Sequence, residues 1–226
     1  MDDGALEPLG EAAARYVEDR MKVGLGTGRA ASVFVRALAA RVRQRRLSIT
    51  CVATSDATQS LAAGLGLVVR SLADAGELDL TIDGADEVDP RLDLIKGLGG
   101  ALVREKIVAA SSKRLVILVG ADKLVDRLGV RTPLPVEIVP FGQPLCERRL
   151  VERGATPKLR AGASGPFVSD NGNFILDCGF GGIDDPAALD RRIKEIPGVV
   201  DTGLFVGMVE RVLVQDGAEV KVLRAA

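Results

Sequence analysis

Short apolar runs alternate with amphipathic segments through the first half of this chain, and glycines mark most of the junctions between them. The apolar spacing predicts helices over residues 6–21, 30–45, 56–64 and 101–111, and strands over residues 22–25, 47–53, 67–69, 78–82 and 114–119. This alternation is typical of a parallel sheet covered by helices on both faces, whose ligands bind beyond the carboxyl ends of the strands. We therefore expect an α/β domain with its site at that edge.

The pattern changes after about residue 130. Strands are predicted over 135–139, 156–160 and 199–205, helices over 143–154 and 186–196, and an extended segment over 167–178 that turns at Asp170-Asn171-Gly172. This β-α-β-β-α-β order is that of the ferredoxin-like unit. Segments 208–214 and 219–223 flank Gln215-Asp216-Gly217, a hairpin expected to return to the first sheet. The sequence thus predicts a larger domain, residues 1–129 plus 207–226, and a small α+β domain, residues 130–206.

The chain contains no histidine among its 226 residues. Histidine is the usual general base near neutral pH and the commonest metal ligand. Its absence excludes Ser-His-Asp and Cys-His nucleophiles and histidine-bearing zinc sites. Proton transfer would therefore depend on Asp, Glu, Lys, Tyr or Cys.

Charge and aromatic content exclude several other classes of function. The chain has 30 basic and 31 acidic side chains and only 3% aromatic residues, so we expect no nucleic-acid or membrane partner. No apolar run is long enough for a membrane span, and the N-terminal segment does not resemble a signal peptide. Three widely spaced cysteines, Cys51, Cys146 and Cys178, favour reduced thiols in a cytoplasmic protein.

A glycine loop, V-G-L-G-T-G, connects the first strand to the second helix. Its backbone N–H groups can converge on an anion at the positive helix end, where Thr27 could add a hydroxyl and Arg29 a guanidinium. Simple turn glycines are one alternative. A dinucleotide site is another, but the spacing is G-x-G-x-G, and the second strand ends in Thr54-Ser55 instead of the expected acid. Ser55 or Asp56 is predicted to cap the following helix.

Four carboxylates, Asp83, Asp86, Glu87 and Asp89, fall within seven residues after an apolar strand. Like charges this close disfavour one another's ionised form, so one of them could exchange protons. A divalent-metal cluster is a rival interpretation, although the spacing is not that of a calcium loop. Glu87 and Asp89 are expected to be solvated members of an acidic turn.

A second glycine loop, K-G-L-G-G, opens the predicted helix over residues 101–111. Lys96 at its head could neutralise an oxyanion or a phosphate. Glu105 falls in the first turns of that helix, where the helix dipole favours an ionised carboxylate, which is the form a general base needs. A surface helix residue is the alternative for Glu105.

The chain resembles the ribose-5-phosphate isomerase type A family from about residue 10 to residue 206. The resemblance rests on an ordered set of segments: V-G-L-G-T-G, T-S-D-A-T, D-G-A-D-E, K-G-L-G-G-A-L-V-R-E-K, P-V-E-I-V-P, D-N-G-N-F-I-L-D and I-P-G-V-V. It implies a Rossmann-like domain plus a small α+β domain, a homodimer or homotetramer, and no metal or organic cofactor. The implied reaction interconverts D-ribose 5-phosphate and D-ribulose 5-phosphate in the non-oxidative pentose phosphate pathway.

The resemblance also implies roles for individual residues. It places the general base at Glu105 and catalytic support at Asp83, Asp86 and Lys96. The implied substrate-binding residues are Thr27, Gly28, Arg29, Ala30, Asp83, Gly84, Ala85, Asp86, Lys96, Gly97, Leu98, Gly99 and Lys123. Two departures stand out: Arg29-Ala30 replaces the usual Ser-Thr, and Leu98 and Gly100 replace Gly and Ala. Leu98 would be strained if its position required a positive φ.

The sequence leaves two rival functions open. A non-catalytic sugar-phosphate sensor would share the ligand fold but would carry a DNA-binding helix-turn-helix, for which the assigned segments leave no room. A dinucleotide-dependent oxidoreductase would share the first glycine loop but would need the missing ribose-binding acid.

Overall fold

A computed structural model describes residues 6–224 of the chain. They form two compact units. The first unit runs from the start of the described chain to Ala85 and adds Arg104–Lys123 and the segment from Met208 onward. The second unit comprises Asp86–Val103 and Leu124–Gly207.

Seven α-helices and thirteen strands are found among residues 6–224. The helices are α1 (Glu7–Ala14), α2 (Arg29–Arg45), α3 (Asp56–Gly64), α4 (Leu72–Ala75), α5 (Leu102–Ala110), α6 (Gln143–Val151) and α7 (Pro186–Lys194). The strands are β1 (Lys22–Leu25), β2 (Thr50–Ala53), β3 (Leu80–Gly84), β4 (Glu87–Val88), β5 (Leu94–Ile95), β6 (Leu115–Gly120), β7 (Leu134–Ile138), β8 (Thr156–Leu159), β9 (Phe174–Gly179), β10 (Val199–Thr202), β11 (Leu204–Phe205), β12 (Arg211–Asp216) and β13 (Glu219–Arg224).

A six-stranded sheet in the order β13-β12-β6-β3-β1-β2 forms the centre of the first unit. Neighbouring strands are parallel except for the β12–β13 hairpin. The predicted parallel sheet and the predicted return of the C-terminal hairpin are therefore confirmed. Strand β6 is buried along its whole length and reads Leu-Val-Ile-Leu-Val-Gly. Such a continuous apolar run suits a parallel strand that is covered on both faces.

Helices pack on both faces of this sheet. On one face, α1 and α2 contribute Leu9, Phe34 and Leu38 to a core that also contains Leu25 and Ile82 of the strands. Successive residues of a strand point to opposite faces. Cys51 of β2 accordingly joins this core. Its neighbour Val52 joins a second cluster with Ala75 of α4, Leu78 from the segment before β3 and Val108 of α5.

The second unit contains a four-stranded antiparallel sheet in the order β10-β7-β9-β8, with α6 and α7 in its connections. The predicted β-α-β-β-α-β unit is therefore confirmed. A three-stranded sheet, β11-β5-β4, was not predicted. Its strands have two residues each, which is too short for a period-two pattern to be recognised.

The predicted strand over residues 199–205 divides at Gly203 into β10 and β11. The N–H of Gly203 donates to the carbonyl of Pro135 at 2.7 Å. A Cβ at Gly203 would lie 2.2 Å from the carbonyl oxygen of Lys96, so only glycine permits this close backbone approach. The chain consequently leaves one sheet of the second unit and enters the other at this residue.

The structure groups residues 86–103 with the second unit, whereas the sequence division placed them with the first. The reason lies in the strand pairing. Strand β5 pairs with both β4 and β11, so residues near 90 belong to the same small sheet as residues near 205. A pairing between segments so distant in sequence cannot be predicted from local sequence patterns.

Several predicted elements are shorter than expected, and two of them differ most. The first helix ends at Ala14 instead of residue 21, and the chain then turns so that the carbonyl of Met21 accepts the N–H of Thr50 at 3.1 Å. The predicted strand over residues 67–69 is a single bridge between Cys51 and Val69. Within residues 6–224, no helix is both long and apolar enough to cross a membrane.

The three cysteines are free thiols buried in the two units. Burial raises the pKa of Cys51 to about 12 and also raises the pKa of the Cys146 and Cys178 thiols. A raised thiol pKa keeps the group protonated at neutral and mildly alkaline pH, and the thiolate is the reactive form.

We predict that iodoacetamide at pH 8 does not alkylate the native protein, because its thiols are protonated and shielded from solvent. The same reagent should add three groups per chain after denaturation, as counted by intact-mass spectrometry. Rapid modification of the native protein would contradict this burial.

Candidate active site

The carboxyl ends of four adjacent parallel strands lie at one edge of the first unit's sheet, in the order β6-β3-β1-β2. The chain moves from β1 to β2 on one side and then crosses to β3 on the other side of β1. The strand order therefore reverses between β1 and β3, and open α/β sheets bind ligands at such a reversal. The predicted first loop follows β1, and Asp83 lies near the end of β3.

Asp83 joins the ends of β1 and β3. Its side chain is 1% exposed, and Oδ1 accepts the N–H of Thr27 at 3.1 Å and the N–H of Gly84 at 2.7 Å. Gly26 makes this approach possible, because a Cβ at residue 26 would lie 2.1 Å from Asp83 Oδ1 and 2.6 Å from Asp83 Cα. Real carbon–oxygen contacts are never this short, so a side chain at position 26 would separate the two strand ends.

The first glycine loop leads directly into α2. Gly28 is the N-cap residue with φ +100°, and it has no side chain with which to cap the helix. Arg29 and Ala30 are the first residues of α2. The N–H groups of a first helical turn carry partial positive charge and suit an anionic ligand group.

A cluster of four hydroxyl groups holds this loop to the start of α3. Thr27 Oγ1 lies 2.7 Å from Thr54 Oγ1, 2.8 Å from Ser55 Oγ and 3.2 Å from Thr58 Oγ1. Thr58 Oγ1 in turn donates to the carbonyl of Gly26 at 3.0 Å. The Thr27 hydroxyl, expected to face a ligand, is thus engaged in anchoring its own loop.

Ser55 is the N-cap of α3, and its Oγ accepts the N–H of Thr58 at 3.1 Å. This confirms the capping role predicted for Ser55 or Asp56. Asp56 lies in the first turn of α3 and accepts a hydrogen bond from Nη1 of Arg104 at 2.7 Å. The ion pair connects α3 to α5, next to Glu105.

Glu105 lies in the first turn of α5 and is 4% exposed. It is therefore a buried carboxylate and not a surface helix residue. The position agrees with the sequence prediction, and the N-terminal end of the helix dipole favours its ionised form. Lys123 ends the 3-10 turn Ala121–Lys123 that follows β6, and about a third of its side chain is exposed.

In the second unit, Asp86 binds the second glycine loop. Its Oδ2 accepts the N–H of Leu98 at 3.0 Å, and its own N–H donates to the carbonyl of Ile95 at 2.8 Å. Gly97 has φ +105° and Gly100 has φ +85°, whereas Leu98 is not among the residues with positive φ. Leu98 therefore fits its position without backbone strain.

Lys96 at the head of this loop is 3% exposed. Its N–H donates to the carbonyl of Gly203 at 2.9 Å, and Nζ lies 5.5 Å from the centroid of the Phe205 ring. An ammonium group at this distance from an aromatic ring is attracted by the ring quadrupole. The backbone and the side chain of Lys96 are thus both held by residues near the β10–β11 junction.

Glu87 and Asp89 are buried, so the expectation that they are solvated is wrong. Glu87 is 1% exposed, and its two oxygens accept the N–H groups of Gly129, Arg131 and Thr132 at 2.6–2.9 Å. Asp89 Oδ1 accepts the N–H groups of Arg91 and Asp93, each at 2.9 Å. Each carboxylate has its own backbone donors, which is how burial of an acidic side chain becomes tolerable.

Arg160 was not predicted as a site residue. It donates to the carbonyl groups of Gly97 and Leu98 in the second glycine loop. More than sixty residues separate the partners, and no local pattern distinguishes this arginine from the other basic residues of the chain.

Comparison with a family model agrees with the resemblance seen in the sequence. Residues 50–219 match the model of ribose 5-phosphate isomerase A (phosphoriboisomerase A). A ribose-5-phosphate isomerase A of Roseiflexus sp. (strain RS-1) is 54% identical over 211 residues, which cover 92% of this chain and 91% of the relative. One of Gloeobacter violaceus is 51% identical over 223 residues, with 96% of each chain covered.

Solved structures give the same result. A ribose 5-phosphate isomerase A from Methanocaldococcus jannaschii is 38% identical, with a TM-score of 0.94 over 99% of this chain and 100% of that chain. A D-ribose-5-phosphate isomerase in complex with phospho-erythronic acid is 36% identical, with a TM-score of 0.95 and the same coverage. The likeness spans both units.

We predict that Gly26→Ala lowers the free energy of unfolding by about 1–3 kcal/mol, because the new methyl group overlaps Asp83. Urea unfolding of the variant and the unchanged chain measures the difference.

Gly64→Ala is the matched control. Gly64 lies in α3, and a Cβ there would meet no heavy atom within 4 Å. This variant should be as stable as the unchanged chain or slightly more so, since alanine favours a helix. Equal stability of the two variants would mean that Asp83 does not crowd position 26.

Proposed function

This chain belongs to the ribose 5-phosphate isomerase A family and interconverts D-ribose 5-phosphate and D-ribulose 5-phosphate, and we propose that Glu105 is the general base of that reaction. The observation that carries the assignment is the burial of the Glu105 carboxylate in the first turn of α5. Without histidine, the chain needs another group to move a proton between carbon atoms.

The proposed reaction passes through an enediolate. The Glu105 carboxylate takes the proton from C2 of the open-chain aldose, and the C2–H electron pair forms the C1–C2 double bond as the carbonyl oxygen gains negative charge. The same carboxyl group then returns the proton to C1. The C2 hydroxyl loses its proton and becomes the new carbonyl, and that proton is made up at the C1 oxygen, which becomes the hydroxyl of the ketose. One carboxylate serves both steps, and a well-placed base accelerates such a step by about 10²–10⁴-fold.

Lys96 is assigned to the enediolate oxygen on the basis of the family resemblance. A fixed cation at a developing oxyanion stabilises the transition state more than the ground state, by roughly 3 kcal/mol. Support comes from the burial of Lys96 and from the hydrogen bond that fixes its backbone to Gly203.

Asp83 and Asp86 are assigned to the sugar hydroxyls and to ring opening. Both carboxyl groups have an oxygen oriented by backbone N–H groups, those of Thr27 and Gly84 for Asp83 and that of Leu98 for Asp86. A carboxylate oriented in this way can accept a hydroxyl proton without reorganising.

The phosphate is assigned to the first turn of α2, at Gly28, Arg29 and Ala30. Gly28 has no capping side chain, so the first-turn N–H groups suit a phosphate, and the Arg29 side chain adds positive charge. Arg29-Ala30 would thus replace hydroxyl contacts by backbone donors and a guanidinium. Lys123, beyond the end of β6, is a further cation assigned to the substrate.

We also propose that the chain is a cytoplasmic homodimer or homotetramer without a metal or organic cofactor. Free, buried thiols suit a reducing compartment. The oligomeric state and the absence of a cofactor rest on the family resemblance.

A dinucleotide-dependent oxidoreductase is the less favoured function. Strand β2 leads into Thr54-Ser55, where a ribose-binding acid would be needed, and both hydroxyls take part in the cluster around Thr27. The end of β2 is therefore used to anchor the first loop.

We predict that Glu105→Gln lowers kcat by at least about 10²-fold, because the amide keeps the shape of the side chain but cannot accept the proton. Ketose formation from ribose 5-phosphate, followed by absorbance with EDTA present and without nucleotide, measures the effect.

Glu7→Gln is the matched control, because Glu7 also lies in the first turn of a helix but is exposed. It should turn over at the normal rate. Near-normal turnover by Glu105→Gln would show that Glu105 is not the general base. Loss of activity of the unchanged chain in EDTA would instead indicate metal-assisted chemistry.

A further inference from the structure

We propose that Arg160 is a positioning residue for the loop that carries Lys96, and that it acts by fixing the loop's carbonyl groups. The proposal rests on the assignment of Lys96 to the enediolate oxygen. Arg160 follows β8 in the second unit, and its side chain is 11% exposed. Such burial sets it apart from most basic residues of the chain, which lie at the surface.

Asp177 on β9 fixes the plane of the guanidinium group. Arg160 Nε donates to Asp177 Oδ2 at 3.0 Å, and Nη2 donates to Oδ1 at 2.5 Å. Two parallel hydrogen bonds of this kind define the direction of the group as well as its position. Since Asp177 offsets the charge, Arg160 adds no net charge to its surroundings.

The remaining nitrogen of Arg160 reaches the second glycine loop. Nη1 donates to the carbonyl of Gly97 at 2.9 Å and to the carbonyl of Leu98 at 3.1 Å. On the same loop, the N–H of Leu98 donates to Asp86 at 3.0 Å. The peptide groups directly after Lys96 are thus held by an arginine at their carbonyls and by a carboxylate at an N–H.

Phe167 packs against both the Arg160 guanidinium and the second glycine loop. Its ring centroid lies 5.7 Å from Cζ of Arg160, within the range of a cation–π contact. The ring also lies against Gly100, where a Cβ would come within 2.4 Å of the Phe167 Cζ atom. Gly100 thus leaves room for the ring that packs beside the guanidinium.

This geometry requires arginine. A planar guanidinium can serve a carboxylate with one edge and two carbonyls with its third nitrogen, whereas the ammonium of lysine is a single point of charge. If the loop moves, Lys96 moves with it. Because Lys96 acts on charge that develops only in the transition state, the loss should be larger in kcat than in KM.

The test uses Arg160→Lys, Arg160→Ala and Asp177→Asn in the full chain, with phospho-erythronic acid as the probe. Its planar carboxylate resembles the enediolate more than the substrate does. We expect kcat/KM to fall by about 10- to 100-fold, which is the effect of a displacement of about 1 Å in a catalytic group. The inhibition constant of the probe should rise by a similar factor, while KM should rise less than kcat falls. Added guanidinium ion should partly restore Arg160→Ala.

Arg149→Ala is the matched control, because Arg149 also pairs with an acid in the second unit, Glu152 at 2.8 Å, but is half exposed on α6. It should leave kcat, KM and the probe's inhibition constant unchanged. Thermal unfolding shows whether each variant is folded. If Arg160→Ala does not fold, Arg160→Lys is used for the test instead.

Two results would overturn the proposal. One is a folded Arg160→Lys with normal kcat/KM. The other is a fall in kcat with an unchanged inhibition constant, which indicates fewer active molecules instead of a displaced loop. If the Arg160 variants have normal kcat/KM and Glu105→Gln is inactive, only the role of Arg160 is refuted. If Glu105→Gln is active, the proposed general base is refuted.

Discussion

The hydrogen bonds of Asp83 are the interaction on which the first unit's strand ends depend. One buried carboxylate oxygen accepts the N–H groups of Thr27 and Gly84 and so connects β1 to β3 at the reversal of strand order. Burial of the carboxylate would be unfavourable without these donors, and the carboxylate in turn holds the two strand ends together. Residue 26 must be glycine, because a side chain at this position would overlap Asp83. The start of α2 takes its position from the same contact.

The four clustered carboxylates illustrate how neighbouring acids become independent in a folded chain. Asp83 binds the first loop, Asp86 binds the second, Glu87 holds the segment near residue 130, and Asp89 closes a turn. Backbone N–H groups supply the stabilisation in each case, so the three buried acids, Asp83, Glu87 and Asp89, need no shared proton or metal ion to offset their burial. Glu105 lies apart from these four acids on α5, and it is the group that we propose as the base in a chain that lacks histidine.

Local patterns were sufficient to predict the parallel sheet, the ferredoxin-like unit, the Ser55 cap and the position of Glu105 in its helix, because local apolar spacing and the order of helices and strands indicate each of them. The burial of Glu87, the break at Gly203 and the contacts of Arg160 could not be predicted in this way. Each depends on a partner about forty or more residues away, and an acidic turn or a lone arginine has the same sequence pattern whether it is buried or exposed. Leu98 was expected to be strained only if its φ were positive, and it is not.

The most direct test of Glu105 as the base is a crystal structure of this chain with phospho-erythronic acid bound. We predict a Glu105 carboxylate oxygen about 3–3.5 Å from the ligand's carboxylate carbon or its neighbour, the distance of a near-attack arrangement. A bound ligand whose carbon chain faces a different proton-transfer group, with the Glu105 carboxylate out of reach, would contradict the assignment.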